Sequence, residues 1–216
     1  MNFIQQPQRI ESTSFEIIDQ IIADEHPDYR FQNPLEKKVI TRAVHTTADF
    51  DWLNILKFSP AVLEQLQTMI SEGCTFYTDT TMALSGINKS LLKQFGCDIR
   101  CYIADPQVAE EAKSQSITRS MAAVDKALDQ TGKKVFVFGN APTALFRLME
   151  RCGEERPVTI GVPVGFVGAA ESKQALYESD FPYITALGRK GGSNVAAAIV
   201  NAVLYHMRDY YTRETL

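Results

Sequence analysis

An α/β fold with a mainly parallel sheet of about five strands, sandwiched between helices as a three-layer α/β/α domain, is predicted from three features of this chain. Short apolar runs alternate with longer stretches of helical periodicity. A strand, a glycine-bearing turn and an Ala-rich or apolar helix recur three times: Val135–Phe138 into Gly139-Asn140-Ala141-Pro142, Val158–Ile160 into Gly161–Gly168, and Tyr183–Leu187 into Gly188–Ser193. At 216 residues and 45% hydrophobic content, the chain can bury one sizeable core. No linker, low-complexity tract or fixed-period repeat divides it. One domain over residues 1–216 follows, with residues 1–9 and 210–216 peripheral.

In order along the chain, Thr13 and Glu16 resemble a capping box opening an amphipathic helix whose apolar face is Ile17, Ile18, Ile21 and Ile22. Asn33, Pro34 and Glu36 mark a second helix start, running to about His45 with Leu35, Val39 and Ala43 at four-residue spacing. A helix over Ala61–Ser71 ends at Gly73, and Cys74–Tyr77 reads as a buried strand. That strand feeds Thr78-Asp79-Thr80-Thr81, with a helix after Ala83 or near Lys89. Ile99–Ile103 is a further strand, stopped by Asp105-Pro106. Ile117, Met121, Val124 and Leu128 line one face of the next helix, ahead of the three glycine units. Residues Tyr210–Leu216 are expected to fray.

Composition narrows the function. A net charge of -4 and a pI near 5.5 argue against a general nucleic-acid surface. The amino terminus, MNFIQQPQRI, lacks the basic start and apolar run of a signal peptide, and no stretch approaches the roughly 20 apolar residues of a spanning helix. A soluble, cytoplasmic protein is the expectation, with no membrane partner. The four cysteines contain no C-x-x-C pair. Cys97 and Cys101, four apart on an expected strand, would sit about 13 Å apart, beyond the reach of a disulfide. Reduced thiols are expected.

Glycine turns after parallel strands gather at the carboxyl edge of the sheet and aim backbone N–H groups at an anion. None of these turns carries the G-x-G-x-x-G spacing of a dinucleotide site, and no G-x-x-x-x-G-K-[ST] phosphate loop exists. A flavin or nucleotide oxidoreductase therefore lacks its motifs. What remains is several turns of bare backbone and two cations, Arg189 and Lys190, an edge suited to a ligand bearing several carboxylates. The alternative is that the glycines only permit tight turns.

For the chemistry, His45 closes the helix from Pro34, away from its apolar stripe and near Arg42. The helix C-terminus and the nearby Asp49 and Asp51 favour the charged imidazolium, ready to donate a proton; Arg42 opposes it, and the balance stays open. A protein-bound metal is not expected, because no second histidine sits at a ligand spacing. Arg119 falls in a first helical turn, where the dipole disfavours a cation; it serves a ligand or is a surface arginine. Thr80 and Thr81 offer hydroxyls to carboxylates, and Asp79 orients a base or caps a helix. Ser14 sits at the opening of the first helix. No G-x-S-x-G elbow supports a hydrolase serine.

The segment Arg42-Ala43-Val44-His45-Thr46-Thr47-Ala48-Asp49-Phe50-Asp51-Trp52 resembles the histidine motif of the precorrin-8 methylmutases of corrinoid biosynthesis. So do YTDTTMALSGIN from Tyr77, ITRSMAAVD from Ile117, FGNAPTALFRL from Phe138, GVPVGFVGAAESK from Gly161 and ALGRKGGSNVAAAIVNA from Ala186. The resemblance covers the chain nearly end to end, and its wording is most similar to the cobalt-precorrin-8 branch of the anaerobic pathway. It implies a flavodoxin-like fold and a homodimer with pockets near the subunit interface. It further implies an isomerase that moves a methyl group between adjacent ring C carbons of a tetrapyrrole polycarboxylate to form cobyrinate.

By the same resemblance His45 is catalytic, and Ser14 and Arg119 lie near bound corrinoid. Arg42, Thr46, Asp79, Thr80, Thr81 and Ser120 are expected at the substrate. So are Gly139, Asn140, Gly165 and Gly168, together with Arg189, Lys190, Gly191, Gly192 and Ser193. No cofactor is expected, cobalt being carried by the substrate. Product would pass to the next corrinoid-pathway enzyme. The competing function is a non-catalytic corrinoid carrier that delivers product to that enzyme.

Overall fold

The computed structural model describes residues 4–214. Pro7 opens helix α1 (Pro7–Glu25), since the N–H a proline lacks is one the first turn leaves unpaired anyway. The helix therefore starts ahead of Thr13 and Glu16, which lie inside it and form no capping box. Ile18 and Ile22 are buried along its inner face, whereas Ile17 is 55% exposed. Helix α2 (Pro34–Thr47) is started as its sequence dictates: the Asn33 side chain accepts the Glu36 N–H at 2.8 Å, and Pro34 follows it. Its buried stripe is Leu35, Val39, Ile40, Ala43 and Val44, and Ala48 ends it in the left-handed region at φ 54°.

The chain continues through α3 (Trp52–Ile55), β1 (Leu56–Phe58), α4 (Val62–Ser71), β2 (Thr75–Thr78), α5 (Thr81–Gly86), α6 (Lys89–Gln94) and β3 (Asp98–Arg100). Then come α7 (Pro106–Gln115), α8 (Arg119–Leu128), β4 (Lys134–Phe138), α9 (Pro142–Arg151), β5 (Val158–Gly161), α10 (Ala169–Tyr177), β6 (Tyr183–Ala186) and α11 (Ser193–Glu214). The expected strand at Ile99–Ile103 is shorter and ends at Arg100. Ile117 precedes α8 and packs on the small cluster of Val108, Ala112, Ala122 and Ala123. Tyr210 lies within α11, which runs on to Glu214; Thr215 and Leu216, also expected to fray, lie outside the described residues. The four cysteines are free thiols.

The sheet has six strands in the order β1-β6-β5-β4-β2-β3. All pairs are parallel except β1 with β6, an antiparallel edge with Leu56 opposite Ala186 and Phe58 opposite Ile184. The five parallel strands have the flavodoxin-like order, with the chain reversing direction across the sheet between β2 and β4. Alternation along the strands builds two cores. Phe76, Val135, Val137, Ile160 and Ile184 face α2, α4 and α11 on one side, and Tyr77, Phe136, Phe138 and Tyr183 face α8, α9 and α10 on the other.

At the reversal point the carboxyl-edge turns are tied together. Asp79, which follows β2, is 4% exposed. Its carboxylate accepts the N–H groups of Gly139 (3.0 Å), Asn140 (2.7 Å) and Ala141 (2.7 Å), bending the chain from β4 into α9. A Cβ on Gly139 would lie 2.5 Å from the Ser193 Cα, so only glycine lets this turn meet the start of α11. The Val164 N–H reaches the Gly139 carbonyl at 3.2 Å, and the Gly192 N–H reaches the Val162 carbonyl at 2.9 Å. Across the same gap Thr80 Oγ1 and Ser193 Oγ are 2.7 Å apart.

Replacing Asp79 by Asn turns an amide N–H toward backbone donors that need an acceptor. Asp79→Asn is expected to cost about 2–4 kcal/mol in urea unfolding. A loss below about 0.5 kcal/mol, the scatter of neutral surface changes, would show that the turn holds without the carboxylate.

Candidate functional site

The reversal point of an open α/β sheet is where a crevice forms, because adjacent connections leave toward opposite faces. Here the crevice lies between Thr78–Thr81 and Gly139–Ala141, with the N-terminus of α11 behind it. The expectation that all three glycine turns aim their N–H groups at a ligand needs correction. The first turn spends its donors on Asp79, whose burial pushes its carboxyl above the ordinary range while those N–H groups pull it back. Asp79 therefore shapes the crevice from inside, with its oxygens committed to backbone. Asn140 stays exposed at the rim.

Beside this corner lie the N-terminus of α11 and the hydroxyl pair of Thr80 and Ser193. Helix α11 points its N-terminus at the crevice, where first-turn N–H groups lack intrahelical partners. Ser193 is buried against Thr80, which also caps α5 by accepting the Ala83 N–H at 3.1 Å. Thr81 and Met82 stand exposed beside them, Met82 at 68%. Gly165 and Gly168 carry positive φ and form the loop from β5 to α10, whose tip exposes Phe166 (86%) and Val167 (90%).

Charge along this edge is unevenly committed. Arg119 is exposed at the first position of α8, with Thr118 capping the helix and linked to Thr143 at the head of α9 (3.1 Å). No carboxylate pairs with it among the described residues, and Ser120 sits half-buried beside it. Arg189 is likewise without an acid partner among the described residues; its guanidinium lies 5.8 Å from the centre of the exposed Phe166 ring. Lys190 differs, because its ammonium bridges Asp49 and Asp51, the latter at 2.6 Å. Lys190 holds the Asp49 carboxyl below the usual carboxylate range.

That bridge ties the segment just past α2 to the Gly188–Gly192 turn. His45 lies in the last turn of α2. His45 is exposed there, with Thr46 exposed next to it. The two acids expected to serve His45 serve Lys190 instead. The imidazole is held by an aromatic ring: it stacks on Phe15 of α1 at 5.0 Å between centroids and 25° between planes. Arg42 packs on the same Phe15 ring at 5.1 Å, pairs with Glu11 at 2.8 Å and lies over Tyr205 at 4.7 Å. Nothing in the sequence distinguishes Phe15 from a core residue. Ser14, beside it, lies within α1 rather than at its start, and donates to the Ile10 carbonyl at 2.7 Å.

A second concavity, a cavity of about 680 Å³ between α1, α2 and α11, begins on the other side of Phe15 and Arg42. Four cations line it: Lys37 pairs with Asp19, Arg42 with Glu11, and Lys38 and Arg208 share Asp209. At the crevice, Arg119 and Arg189 have no acid partner among the described residues. Among the described residues no group of three or more His, Cys, Asp or Glu side chains is arranged to hold a metal ion, and no helix is long and apolar enough to cross a membrane.

Residues 9–206 match the family model described as Precorrin-8X methylmutase. The chain is 63% identical over 210 residues to the Cobalt-precorrin-8 methylmutase of Salmonella typhimurium, covering 97% of this chain and 100% of the relative. It is 39% identical over 206 residues to the Cobalt-precorrin-8 methylmutase of Leptospira interrogans, covering 90% and 91%. Among solved structures, the precorrin-8x methyl mutase of Thermus thermophilus superposes with a TM-score of 0.82 at 35% identity, covering 93% of this chain and 98% of that one. On the matched blocks, the shared fold and this identity, the chain belongs to the precorrin-8X methylmutase family.

Proposed function

We propose that this protein is an isomerase of cobalamin biosynthesis that moves a methyl group between adjacent ring C carbons of cobalt-precorrin-8 to give cobyrinate. The observation that carries this reading is an exposed His45 stacked on Phe15, in a chain whose carboxyl-edge cations Arg119 and Arg189 have no acid partner among the described residues. A polycarboxylate macrocycle supplies those anions. Its acid side chains pair with the two arginines and with the N-terminus of α11, and the hydroxyls of Thr80 and Ser193 complete the cradle.

His45 then does the chemistry. As a proton donor it polarises the conjugated ring system, drawing electron density out of it so that the methyl group can move. The bond from methyl to one ring carbon breaks as the bond to the adjacent carbon forms, and the product keeps the composition of the substrate. The proton returns to the imidazole. Because the migration is internal to one molecule, no second substrate or external cofactor is required, and any cobalt travels with the tetrapyrrole.

The working unit is a homodimer with the crevice near the subunit interface. The exposed Phe166, Val167 and Met82 at its rim support this, since clustered apolar side chains on a surface favour burial by a partner. The free thiols fit a reducing, cytoplasmic location, where the product passes to the next corrinoid-pathway enzyme.

Replacing His45 by Ala is expected to lower turnover of cobalt-precorrin-8 by about 100- to 10,000-fold, while cobyrinate affinity changes less than about threefold. Product formation is followed by absorption spectrum and mass; undiminished turnover would remove His45 from the mechanism. Wild-type protein that binds cobyrinate but never isomerises the substrate would instead be a carrier. Sedimentation velocity should give twice the 24.1 kDa chain mass, and Val167→Asp should shift it toward monomer. A monomeric wild type would rule out the dimer.

A further inference from the structure

We infer that Lys173 is a positioning residue for substrate, a buried cation that sets the shape and donor strength of the Arg189–Ser193 turn from beneath. The inference rests on the corrinoid reading above and assigns a role to a residue that touches neither substrate nor His45.

Lys173 lies on α10 and is 0% exposed. Its ammonium donates to the Lys190 carbonyl at 2.5 Å. Three neighbours hold the turn peptide by peptide. The Gly165 N–H takes the Arg189 carbonyl at 3.1 Å, Lys173 takes that of Lys190, and the Val162 carbonyl takes the Gly192 N–H at 2.9 Å. Between them Gly191 has no room, since a Cβ there would lie 2.1 Å from the Val162 oxygen. Of the three clamps only Lys173 is charged.

Among the described residues no carboxylate pairs with that charge. Fully buried lysines are rare without a paired anion, and an apolar side chain of similar length would be cheaper to bury. The charged groups around it are engaged elsewhere or exposed. On α10 Glu171 is exposed; on α9 Arg147 and Arg151 turn to Asp125, and Glu150 is exposed. On β6 the titratable group is Tyr183. On the turn, Arg189 lies over Phe166 and Lys190 bridges Asp49 and Asp51. Burial alone pushes Lys173 down to about 8.

A cation on the Lys190 carbonyl polarises that peptide, which makes the Gly191 N–H on its other end a stronger donor. It also places positive charge under a turn that already bears Arg189. A substrate carboxylate on the turn is the anion this lysine lacks. As pH rises through about 8 the ammonium is lost, and with it the contribution to binding.

The test is a titration with cobyrinate, followed by absorbance, from about pH 6.5 to about 9.5, across the value of about 8. The wild-type dissociation constant should rise about tenfold through that range, whereas Lys173→Arg, charged throughout, should stay flat within about threefold. Lys173→Met should bind about tenfold more weakly at neutral pH without a step, raising KM for cobalt-precorrin-8 with kcat held within about threefold. The same step in wild type and either variant, or no step in wild type, would overturn the inference; if one variant fails to fold, the other decides. Wild type that binds no cobyrinate at neutral pH would overturn the corrinoid reading itself, and this inference with it.

Discussion

Three backbone N–H groups converge on the buried carboxylate of Asp79, and most of what this protein presents to a ligand depends on that convergence. Hydrogen bonds to a charged acceptor contribute about 1.5–3 kcal/mol each, and together they offset part of the cost of burying this carboxylate, although burial still leaves its carboxyl above the ordinary range. The carboxylate joins the end of β2 to the end of β4, the two strands between which the sheet changes direction. With that corner closed, Gly139 abuts Ser193 and α11 begins against the crevice. Val162 then receives the Gly188–Gly192 turn. Loosening Asp79 would therefore disturb the edge as a whole rather than one turn.

A division of charge follows from this arrangement. The carboxylates near the crevice are occupied: Asp79 by backbone, Asp49 and Asp51 by Lys190. Arg119 and Arg189 have no acid partner among the described residues. In the neighbouring cavity between α1, α2 and α11 three carboxylates stand against four cations, so its charges are largely paired within the protein. The Lys190 bridge has a second effect, because it anchors the segment after α2 to the Gly188–Gly192 turn. The His45 imidazole stacks on Phe15, an apolar support from another helix.

Much of this was readable from local chemistry. Asn33, Pro34 and Glu36 define a helix start by their own hydrogen bonds, and the structure has the helix there. The three glycine turns marked the carboxyl edge because parallel strands leave their turns together. Other elements carried no local signal. Strand β1 is three residues long and exists through its pairing with β6. Helix α7 hides behind Pro106, which reads as the end of a strand as readily as the start of a helix. Thr13 and Glu16 have capping-box spacing, yet Pro7 starts the helix earlier and places them inside it. The acids after His45 appeared to serve it by proximity in sequence, when the stronger partner was Lys190, far along the chain.

The amino-acid sequence alone determined the fold class, the carboxyl edge on which the glycine turns gather, and the family. Each of these is written in short-range patterns: periodicity, turn chemistry and uninterrupted motif blocks. Only the tertiary structure decided which groups are spoken for. Asp79, Asp49, Asp51 and Lys190 find their partners across the sheet, Phe15 meets His45 from another helix, and Lys173 is buried beneath a turn that follows it by more than one element. Such pairings are set by the closing of the domain, which brings distant polar groups into low dielectric where each must find a partner. Sequence spacing carries no record of that competition.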